Sequence, residues 1–256
     1  MPFIEIADAA DARLADFRDL TDADVRPDRR GIVIAEGVTA VEQLIASRYR
    51  VRAIVGVHRR VAALSTVDAP VYVVDKWTLS SVVGFHVTRG VLASADRLPP
   101  RSPFALLTNT RRVAVLEALN DFENLGALFR NAAAFGVDAV LLDPRCADPL
   151  YRRSVRVSMG HVLHVPFAVL EDWPDGLKAV RDRGFAILAM TPRATAVPLR
   201  TVTPPGKWAL LLGAEGPGLG DAALAAADMP VRIPMSPGVD SLNVATAAAV
   251  AFAHLT

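Results

Sequence analysis

Three stretches in the second half of the chain collect the polar and glycine residues that could hold and orient a ligand: residues 120–126, 213–220 and 233–244. Glycine lets backbone N–H groups approach a ligand closely, and Asn, Glu and Ser side chains add hydrogen-bonding groups. Each stretch follows an apolar run and precedes a helical pattern, so each is predicted to be a strand-to-helix loop. The three loops are therefore the candidate site of chemistry.

The first loop leads into a helix predicted over about residues 125–135, with Asn124 as its N-cap and Gly136 as its C-terminal stop. Arg130 is the unusual residue of this helix, because its neighbours are small or apolar. An arginine on such a helix either has a functional role or extends its charged group to solvent. Taken alone, this position favours an arginine that extends to solvent.

The second loop, residues 213–220, contains four glycines that could let backbone N–H groups reach a ligand. Its spacing fits neither the dinucleotide-binding G-x-G-x-x-G pattern nor the P-loop pattern. Glu215 lies in the middle of the loop, where a carboxylate would repel phosphate but would suit a cationic or hydroxyl-bearing ligand. As a glycine-rich turn alone, the loop is weak evidence for any one ligand.

The third loop turns through two prolines and a glycine and is predicted to open the last helix, over about residues 242–255, with Ser241 as its N-cap. Ser241 and Asn243 would then be exposed at a helix start. For Ser241 alone, a capping role is a sufficient explanation.

The elements that position these loops are alternating apolar runs and helical patterns. Residues 113–119, 137–143, 185–190 and 208–213 are predicted strands, which indicates a mostly parallel sheet between helices. Ligands of such folds bind beyond the carboxyl ends of the strands. A proline-rich linker at 94–104 separates this part from a smaller α/β part. The predicted domains are residues 1–102, with the linker, and 103–256.

The composition excludes several classes of protein. The chain has 256 residues, of which 52% are hydrophobic and 21% charged, which excludes disordered and collagen-like chains. Its longest apolar stretch, at 244–255, is shorter than the ~20 residues that span a bilayer. The N-terminus is acidic and lacks the apolar segment of a targeting signal. Because Cys146 is the one cysteine, no internal disulfide can form, and a reducing cytoplasm is expected.

The net charge of +1 does not by itself indicate a polyanionic partner. The arginines are nevertheless clustered. The clusters are Arg48, Arg50, Arg52, Arg59 and Arg60, then Arg111 and Arg112, then Arg145, Arg152, Arg153 and Arg156. Most such clusters are solvated faces, although the guanidinium group matches phosphate oxygens. Charge alone favours nucleic-acid binding only slightly.

Metal and hydrolase chemistry have little support. His161 and His164 form an isolated pair on a strand-like run, His86 has no nearby ligand types, and one cysteine cannot build a zinc site. No G-x-S-x-G pattern accompanies the serines. No metal is therefore expected.

Together, the three loops resemble the motifs of the SpoU (TrmH-like) branch of the SPOUT methyltransferases, which transfer a methyl group from S-adenosylmethionine to a ribose 2′-hydroxyl in RNA. The matching segments are N-x-G-x-x-x-R-N-A at 124–132, G-A-E-G-P-G at 213–218 and I-P-M…S-L-N-V at 233–244, with R-V-S-M-G at 156–160 as a fourth. The first part, with Glu36-Gly37 and HVTRGVLA at 86–93, is similar to the ribosomal-protein-L30e-like RNA-binding domain.

This resemblance implies a fold, a partner and residue roles. The second domain would contain a deep trefoil knot, and two chains would form a homodimer with active sites at the interface. Arg130 would stabilise the developing alkoxide electrostatically, since an arginine stays protonated. The implied catalytic residues are Arg130, Asn124, Glu215, Ser241 and Asn243, and the implied cofactor-binding residues are Gly213, Gly216, Ile233, Met235 and Leu242.

The resemblance favours 23S ribosomal RNA as the substrate, because an L30e-like domain is the feature of the ribosomal group. Transfer RNA is an alternative substrate, and an antibiotic-resistance methyltransferase would look similar. Two further alternatives are an RNA-binding protein of the same fold without catalysis and a base methyltransferase of another SPOUT branch.

Overall fold

The structure is a computed structural model that describes residues 3–22, 26 and 28–256. Contacts divide the chain into two units, and each unit has its own β-sheet. The first unit comprises residues 1–99 and 148–164, and the second comprises residues 100–147 and 165–256.

The described residues form twelve strands. In chain order these are β1 (Phe3–Glu5), β2 (Ile32–Glu36), β3 (Val51–Gly56), β4 (Val71–Val73), β5 (Val91–Asp96), β6 (Arg112–Glu117), β7 (Ala139–Leu142), β8 (Phe167–Val169), β9 (Ala186–Met190), β10 (Val197–Pro198), β11 (Trp208–Gly213) and β12 (Met229–Arg232). The central strands are runs of apolar, often β-branched residues, as expected of strands that are covered on both faces.

The same residues form nine α-helices and four 3-10 helices. The α-helices are α1 (Val38–Ile45), α2 (His58–Val61), α3 (Lys76–Val83), α4 (Pro103–Leu106), α5 (Phe122–Ala134), α6 (Arg152–Val157), α7 (Gly176–Arg181), α8 (Asp221–Ala225) and α9 (Val244–Leu255). The 3-10 helices are Ala12–Phe17, Leu107–Asn109, His161–Leu163 and Leu199–Thr201.

The sheet of the first unit is mixed, in the order β1-β4-β3-β5-β2. Strands β1, β4 and β3 run parallel, whereas β5 is antiparallel to both β3 and β2. The 3-10 helix at Ala12–Phe17 and α3 cover one face of this sheet with an apolar core that includes Phe17, Val55 and Leu79. This unit has the α/β character expected of the part of the chain before the linker.

The sheet of the second unit is entirely parallel, in the order β10-β12-β9-β11-β6-β7-β8. Alternate residues of a strand point to opposite faces. On one face, Val113 and Leu211 share a core with α7 and α8. On the other face, α5 packs against α9, and Phe252 stacks on Trp208 with 6.2 Å between ring centroids. The predicted class, a parallel sheet with helices on both faces, is confirmed.

Residues 148–164 differ from the predicted domain division, because they pack with the first unit although the sequence placed them in the second. The Arg152 guanidinium forms a buried ion pair with Glu36, 2.7 Å between Nη1 and Oε2, and lies 4.3 Å from the Phe85 ring centroid. Gly160 lies so close to α1 that a Cβ there would be 2.5 Å from Gln43 Cβ. The residues that make these contacts lie far apart in the sequence. The local spacing of residue types therefore cannot predict the ion pair or the close packing.

Two further details of this region differ from the sequence prediction. The strand-like run that contains His161 is a 3-10 helix in the structure. The predicted linker at 94–104 begins as strand, because β5 continues to Asp96.

Candidate active site

The candidate site lies at the carboxyl edge of the second unit's sheet. Because its strands are parallel, the loops that follow β9, β11 and β12 emerge at the same edge. With the start of α9 they enclose a pocket of about 450 Å³. The sequence-predicted residues that line it are Gly213, Glu215, Gly216, Ile233, Met235, Ser241, Leu242 and Asn243. The structure thus brings together all five residues predicted for the cofactor and three of those predicted for catalysis.

Asn243 joins two other predicted catalytic residues at the rim of this pocket. Its Nδ2 donates hydrogen bonds to Asn124 Oδ1 at 2.7 Å and to Glu215 Oε1 at 2.5 Å. Its Oδ1 accepts from the backbone N–H groups of Ala245 and Thr246, at 3.0 and 3.2 Å. The amide of Asn243 therefore connects the first loop, the glycine-rich loop and the last helix through one side chain.

The same contacts correct the predicted cap of the last helix. Helix α9 begins at Val244, and its N-cap is Asn243 rather than Ser241. Both residue types are good caps, but the side chain of Asn243 is the one that reaches the free N–H groups of the first turn. Ser241 is exposed and lines the pocket instead.

The first loop also has a different cap from the predicted one. Helix α5 begins at Phe122, and the side chain of its N-cap, Asp121, accepts a hydrogen bond from the Asn124 N–H at 2.7 Å. Asn124 therefore lies inside the first turn, and its amide is free to meet Asn243. A carboxylate cap also suits the positive end of the helix dipole. Gly136, with φ of +64°, follows the end of this helix as predicted.

The glycine-rich loop folds back on itself in a way that only glycine permits at one position. A Cβ on Gly213 would overlap the backbone carbonyl of Gly218, so no side chain can be accommodated there. The Gly218 N–H donates to the Ala214 carbonyl at 3.0 Å, which closes the turn. The loop therefore presents backbone, rather than side chains, along one wall of the pocket.

Glu117, at the carboxyl end of β6, fixes the far end of this loop and was missed by the sequence analysis. Its buried carboxylate accepts hydrogen bonds from the Gly220 N–H at 2.8 Å, Trp173 Nε1 at 2.9 Å and Arg145 Nη2 at 3.0 Å. Arg145 in turn donates to Asp143 at 2.8 Å. An acid at the carboxyl end of a predicted apolar strand was the available signal. We call Glu117, Asp143, Arg145, Trp173 and Gly220 the Glu117 cluster.

Arg130 stands apart from these contacts. It is exposed on α5, it does not line the pocket, and within the described part of the chain it forms no hydrogen bond or ion pair. Its exposed position thus agrees with the expectation that the Arg130 side chain extends to solvent. A guanidinium without a partner remains available to an external anion.

Some residues that line the pocket belong to none of the sequence motifs. Met190 is the last residue of β9, Thr191 and Pro192 follow it, and Ala247 lies in the first turn of α9. The general rule that ligands bind beyond the carboxyl ends of parallel strands was the only signal for the β9 loop.

Cys146, close to the Glu117 cluster along the chain, is not suited to nucleophilic chemistry. Burial raises the pKa of its thiol to about 12. The thiol donates to the Leu116 carbonyl at 3.4 Å, and its sulfur accepts from the Leu119 N–H at 3.3 Å. The thiolate required of a nucleophile is therefore strongly disfavoured.

Two features are absent from the described residues. No group of three or more His, Cys, Asp or Glu residues there is arranged to hold a metal ion. None of the helices in this part of the chain combines the length and apolar character that crossing a bilayer requires.

The fold is that of the SPOUT-class methyltransferases. The chain superposes on the AdoMet-bound rRNA methyltransferase from Sinorhizobium meliloti with a TM-score of 0.83 and 24% sequence identity, over 99% of this chain and 97% of the other. Both units of the chain are included in this match.

The sequence relatives agree with this class. The model of the SpoU rRNA methylase family matches residues 111–253, and the chain belongs to this family. It is thus an RNA methyltransferase. It is 51% identical to an uncharacterized tRNA/rRNA methyltransferase of Mycobacterium tuberculosis, over 98% of this chain and 91% of that protein. It is 31% identical to RlmP of Bacillus subtilis, a 23S rRNA (guanosine(2553)-2′-O)-methyltransferase, over 60% of this chain and 61% of that one.

Proposed function

We propose that this chain transfers a methyl group from S-adenosylmethionine to a ribose 2′-hydroxyl of RNA, with ribosomal RNA as the favoured substrate. The observation that carries the proposal is the hydrogen-bonded group of Asn124, Glu215 and Asn243 at the rim of a pocket lined by all five expected cofactor residues. A residue set dispersed over the surface would have argued for binding without catalysis.

The pocket fits S-adenosylmethionine in size and chemistry. A volume of about 450 Å³ lies in the usual range of small-ligand sites. Leu212, Ile233 and Leu242 offer apolar contacts to a flat, neutral adenine, and the backbone of the glycine-rich loop offers hydrogen bonds. Glu215 supplies a carboxylate that suits the positive charge of the cofactor. When bound, this cofactor supplies an electrophilic methyl group whose departure leaves a neutral thioether, so no general acid is required.

The hydrogen-bond pattern assigns different roles to the three polar residues. Asn243 Nδ2 donates hydrogen bonds to Asn124 and Glu215, and its Oδ1 accepts from the backbone of α9. Because both of its polar groups are occupied by protein partners, Asn243 is a positioning residue. Asn124 must present its Oδ1 to Asn243, which leaves its Nδ2 as a donor. Asn124 Nδ2 and Glu215 Oε2 have no partner among the described residues and are the groups available to a substrate hydroxyl.

Arg130 is assigned the stabilisation of negative charge on the attacking oxygen. A ribose hydroxyl is a weak acid, so the barrier depends on stabilising the developing alkoxide and on orienting it. The exposed guanidinium of Arg130 has the charge and the freedom for this task, and it can also grip an adjacent phosphate. Ser241, at the pocket wall, is assigned to substrate positioning.

We further propose that the first unit binds the RNA while the second binds the cofactor, and that two chains form a dimer. The α5 and α9 helices present small apolar residues to solvent, including Ala134, Val250 and Ala253, with Val250 42% exposed. Such a face is suited to packing against a second copy. A cytoplasmic location follows from the RNA substrate and the lone cysteine.

The 2′-hydroxyl is favoured over a base because RlmP, a relative that is 31% identical over 60% of this chain, is named for that position. Transfer RNA remains the second candidate substrate, since relatives carry tRNA/rRNA in their names.

The test combines cofactor binding with product analysis. Calorimetry should detect S-adenosylmethionine binding to the wild-type protein. After incubation with ribosomal RNA and separately with transfer RNA, nucleoside mass spectrometry should reveal a new 2′-O-methylnucleoside with the wild type and, at the same early time point, at least tenfold less of it with Asn243→Ala. A base-methylated product would overturn the ribose assignment, and the absence of cofactor binding would leave only an RNA-binding role.

A further inference from the structure

An exposed tryptophan on the first unit has no role in the proposed catalytic site. Trp77, in the first turn of α3, is 78% exposed. The other two tryptophans donate their indole N–H groups, Trp208 to the Leu255 carbonyl and Trp173 to Glu117. The indole of Trp77 has no hydrogen-bond partner within residues 3–22, 26 and 28–256. Its large aromatic ring is therefore free to stack on a ligand.

Trp77 lies near the carboxyl edge of the first unit's sheet, and three backbone hydrogen bonds define that edge. The Gly37 N–H donates to Val91 and the Val57 N–H to Gly90, each at 2.9 Å. The Val74 N–H donates to Gly56 at 3.1 Å. Helices α1, α2 and α3 therefore begin at the edge where β5 also begins.

Four cations gather at this same edge: Arg59 and Arg60 of α2, Lys76 next to Trp77, and Arg89 before β5. All four are exposed, and in the described part of the chain none pairs with a carboxylate. The side-chain stem of Arg89 lies 3.5 Å from the Cβ position of Gly37, and that of Arg60 lies 3.2 Å from that of Gly90. These glycines therefore leave room for the arginine stems along the edge.

Two acids near this edge accept hydrogen bonds from the backbone. Asp75 caps α3 through the Thr78 N–H at 2.8 Å, and Asp8 accepts from the Ala10 N–H at the same distance. By contrast, Arg52, which belongs to another part of the sequence cluster, is held by Asp16 and Asp96 at 2.8 and 3.0 Å. The free positive charge is thus concentrated around Trp77 rather than at Arg52.

We propose that Trp77, Lys76, Arg59, Arg60 and Arg89 form a surface, the Trp77 surface, that binds an unpaired RNA nucleotide. The indole stacks on the base, and the four cations contact the flanking phosphates. This combination of an exposed aromatic ring with cations is the usual means of holding single-stranded RNA, whose bases are free to stack. Four cations around one ring favour a polyanion over a protein partner, because each phosphate that they neutralise releases counterions.

The proposal rests on the proposed function only in taking RNA as the substrate. The test uses the full-length protein, a single-stranded oligouridylate of about 12 nucleotides and a fully paired RNA duplex of similar charge. Trp77→Ala should weaken binding of the oligouridylate by about fivefold to a hundredfold and leave duplex binding within about twofold. Trp77→Phe should keep most of the affinity, because its ring still stacks.

Tryptophan fluorescence gives a readout that a structural defect would not mimic. Oligouridylate should quench the emission of the wild type, and this quenching should be lost in Trp77→Phe although binding persists. Equal affinities of wild type and Trp77→Ala would overturn the proposal, as would a wild type that fails to bind oligouridylate at low salt, since stacking needs no particular sequence.

Calorimetry with S-adenosylmethionine on the same proteins separates this result from the proposed function. If the cofactor binds and Trp77→Ala has no effect on RNA, the Trp77 surface alone is wrong. A wild type that self-associates through this surface, with association lost in Trp77→Ala and RNA binding unchanged, would assign it to a protein contact and overturn the RNA role.

Discussion

At the carboxyl edge of the second unit's sheet, the polar side chains are bonded to one another, whereas at that of the first unit Arg59, Arg60, Lys76 and Arg89 have no carboxylate partner within the described residues. The side chains of Asn243 and Glu117 each form hydrogen bonds with several protein partners. In the part of the chain that the structure describes, the guanidinium groups of Arg60 and Arg89 donate no hydrogen bond to a side chain. A small cofactor gains from groups that are already oriented. A polyanion is instead bound by free charges that release counterions.

The largest effect is expected at Arg130, whose charge has no protein partner in the described chain. Arg130→Ala should lower kcat by about a hundredfold to a thousandfold, because it removes the charge at the developing alkoxide, and should leave cofactor affinity unchanged. Arg111, exposed at the opposite edge of the same sheet, is the matched control. Single-turnover methyl transfer to RNA measures both; a variant with near-normal turnover would contradict the assignment.

Asn243→Ala should come next. It removes the bonds to Asn124 and Glu215 and the cap of α9, so kcat should fall about tenfold to a hundredfold through lost orientation. The free energy of unfolding should fall by about 1 kcal/mol through the lost cap. Ser241→Ala, which removes no cap, should leave stability unchanged. Urea denaturation and turnover assays on both variants test the difference, and equal stability losses would argue against the observed cap.

Glu117→Gln tests whether the bonded cluster supports the cofactor loop. The amide keeps the shape but loses the charge that pairs with Arg145, so S-adenosylmethionine affinity should weaken about tenfold while kcat at saturation changes little. Asp182→Asn, in an exposed pair with Lys178, is the control and should have no effect. Calorimetry gives the affinities. If Glu117→Gln binds as tightly as wild type, the loop is held by its own glycine-rich turn.

A smaller effect is expected in the salt dependence of RNA binding. Replacing Arg60 and Arg89 by alanine should reduce the slope of log affinity against log salt by about one for each phosphate that the protein no longer neutralises. Arg52→Ala should reduce it less, because Asp16 and Asp96 already neutralise that charge. Filter binding over a salt series compares the variants on one RNA. A larger change for Arg52 would place the phosphate-binding surface at Arg52 instead of around Trp77.

The smallest expected effect concerns Cys146. Because burial raises its pKa to about 12, the neutral thiol persists at every pH well below that value, and iodoacetamide should not react with the folded protein at pH 8. In urea, where the thiol regains its ordinary pKa of about 8.5, alkylation should be complete. Mass spectrometry counts the adducts. Rapid alkylation of the folded protein would show that this edge of the second unit opens readily.

The sequence predicted what depends on local spacing. Gly213, Ile233 and Leu242 lie in short motifs, and the alternation of strands and helices indicated the parallel sheet. It could not show the partners of Glu117, since Trp173 and Gly220 lie 56 and 103 residues away. The predicted helix starts differ from the observed ones where two good capping residues lie close together, as Asp121 and Asn124 do. Only the backbone geometry decides which of the two forms the cap.

The return of residues 148–164 to the first unit has a consequence for synthesis on the ribosome. The Arg152 guanidinium that neutralises the buried Glu36 is made long after the strand that carries Glu36. The first unit cannot reach its final packing until residue 164 has emerged, by which time β6, α5 and β7 have also been made. The two units of this chain therefore cannot fold strictly one after the other from the N-terminus. A nascent chain halted before residue 148 should expose an unpaired acid and an incomplete core to chaperones.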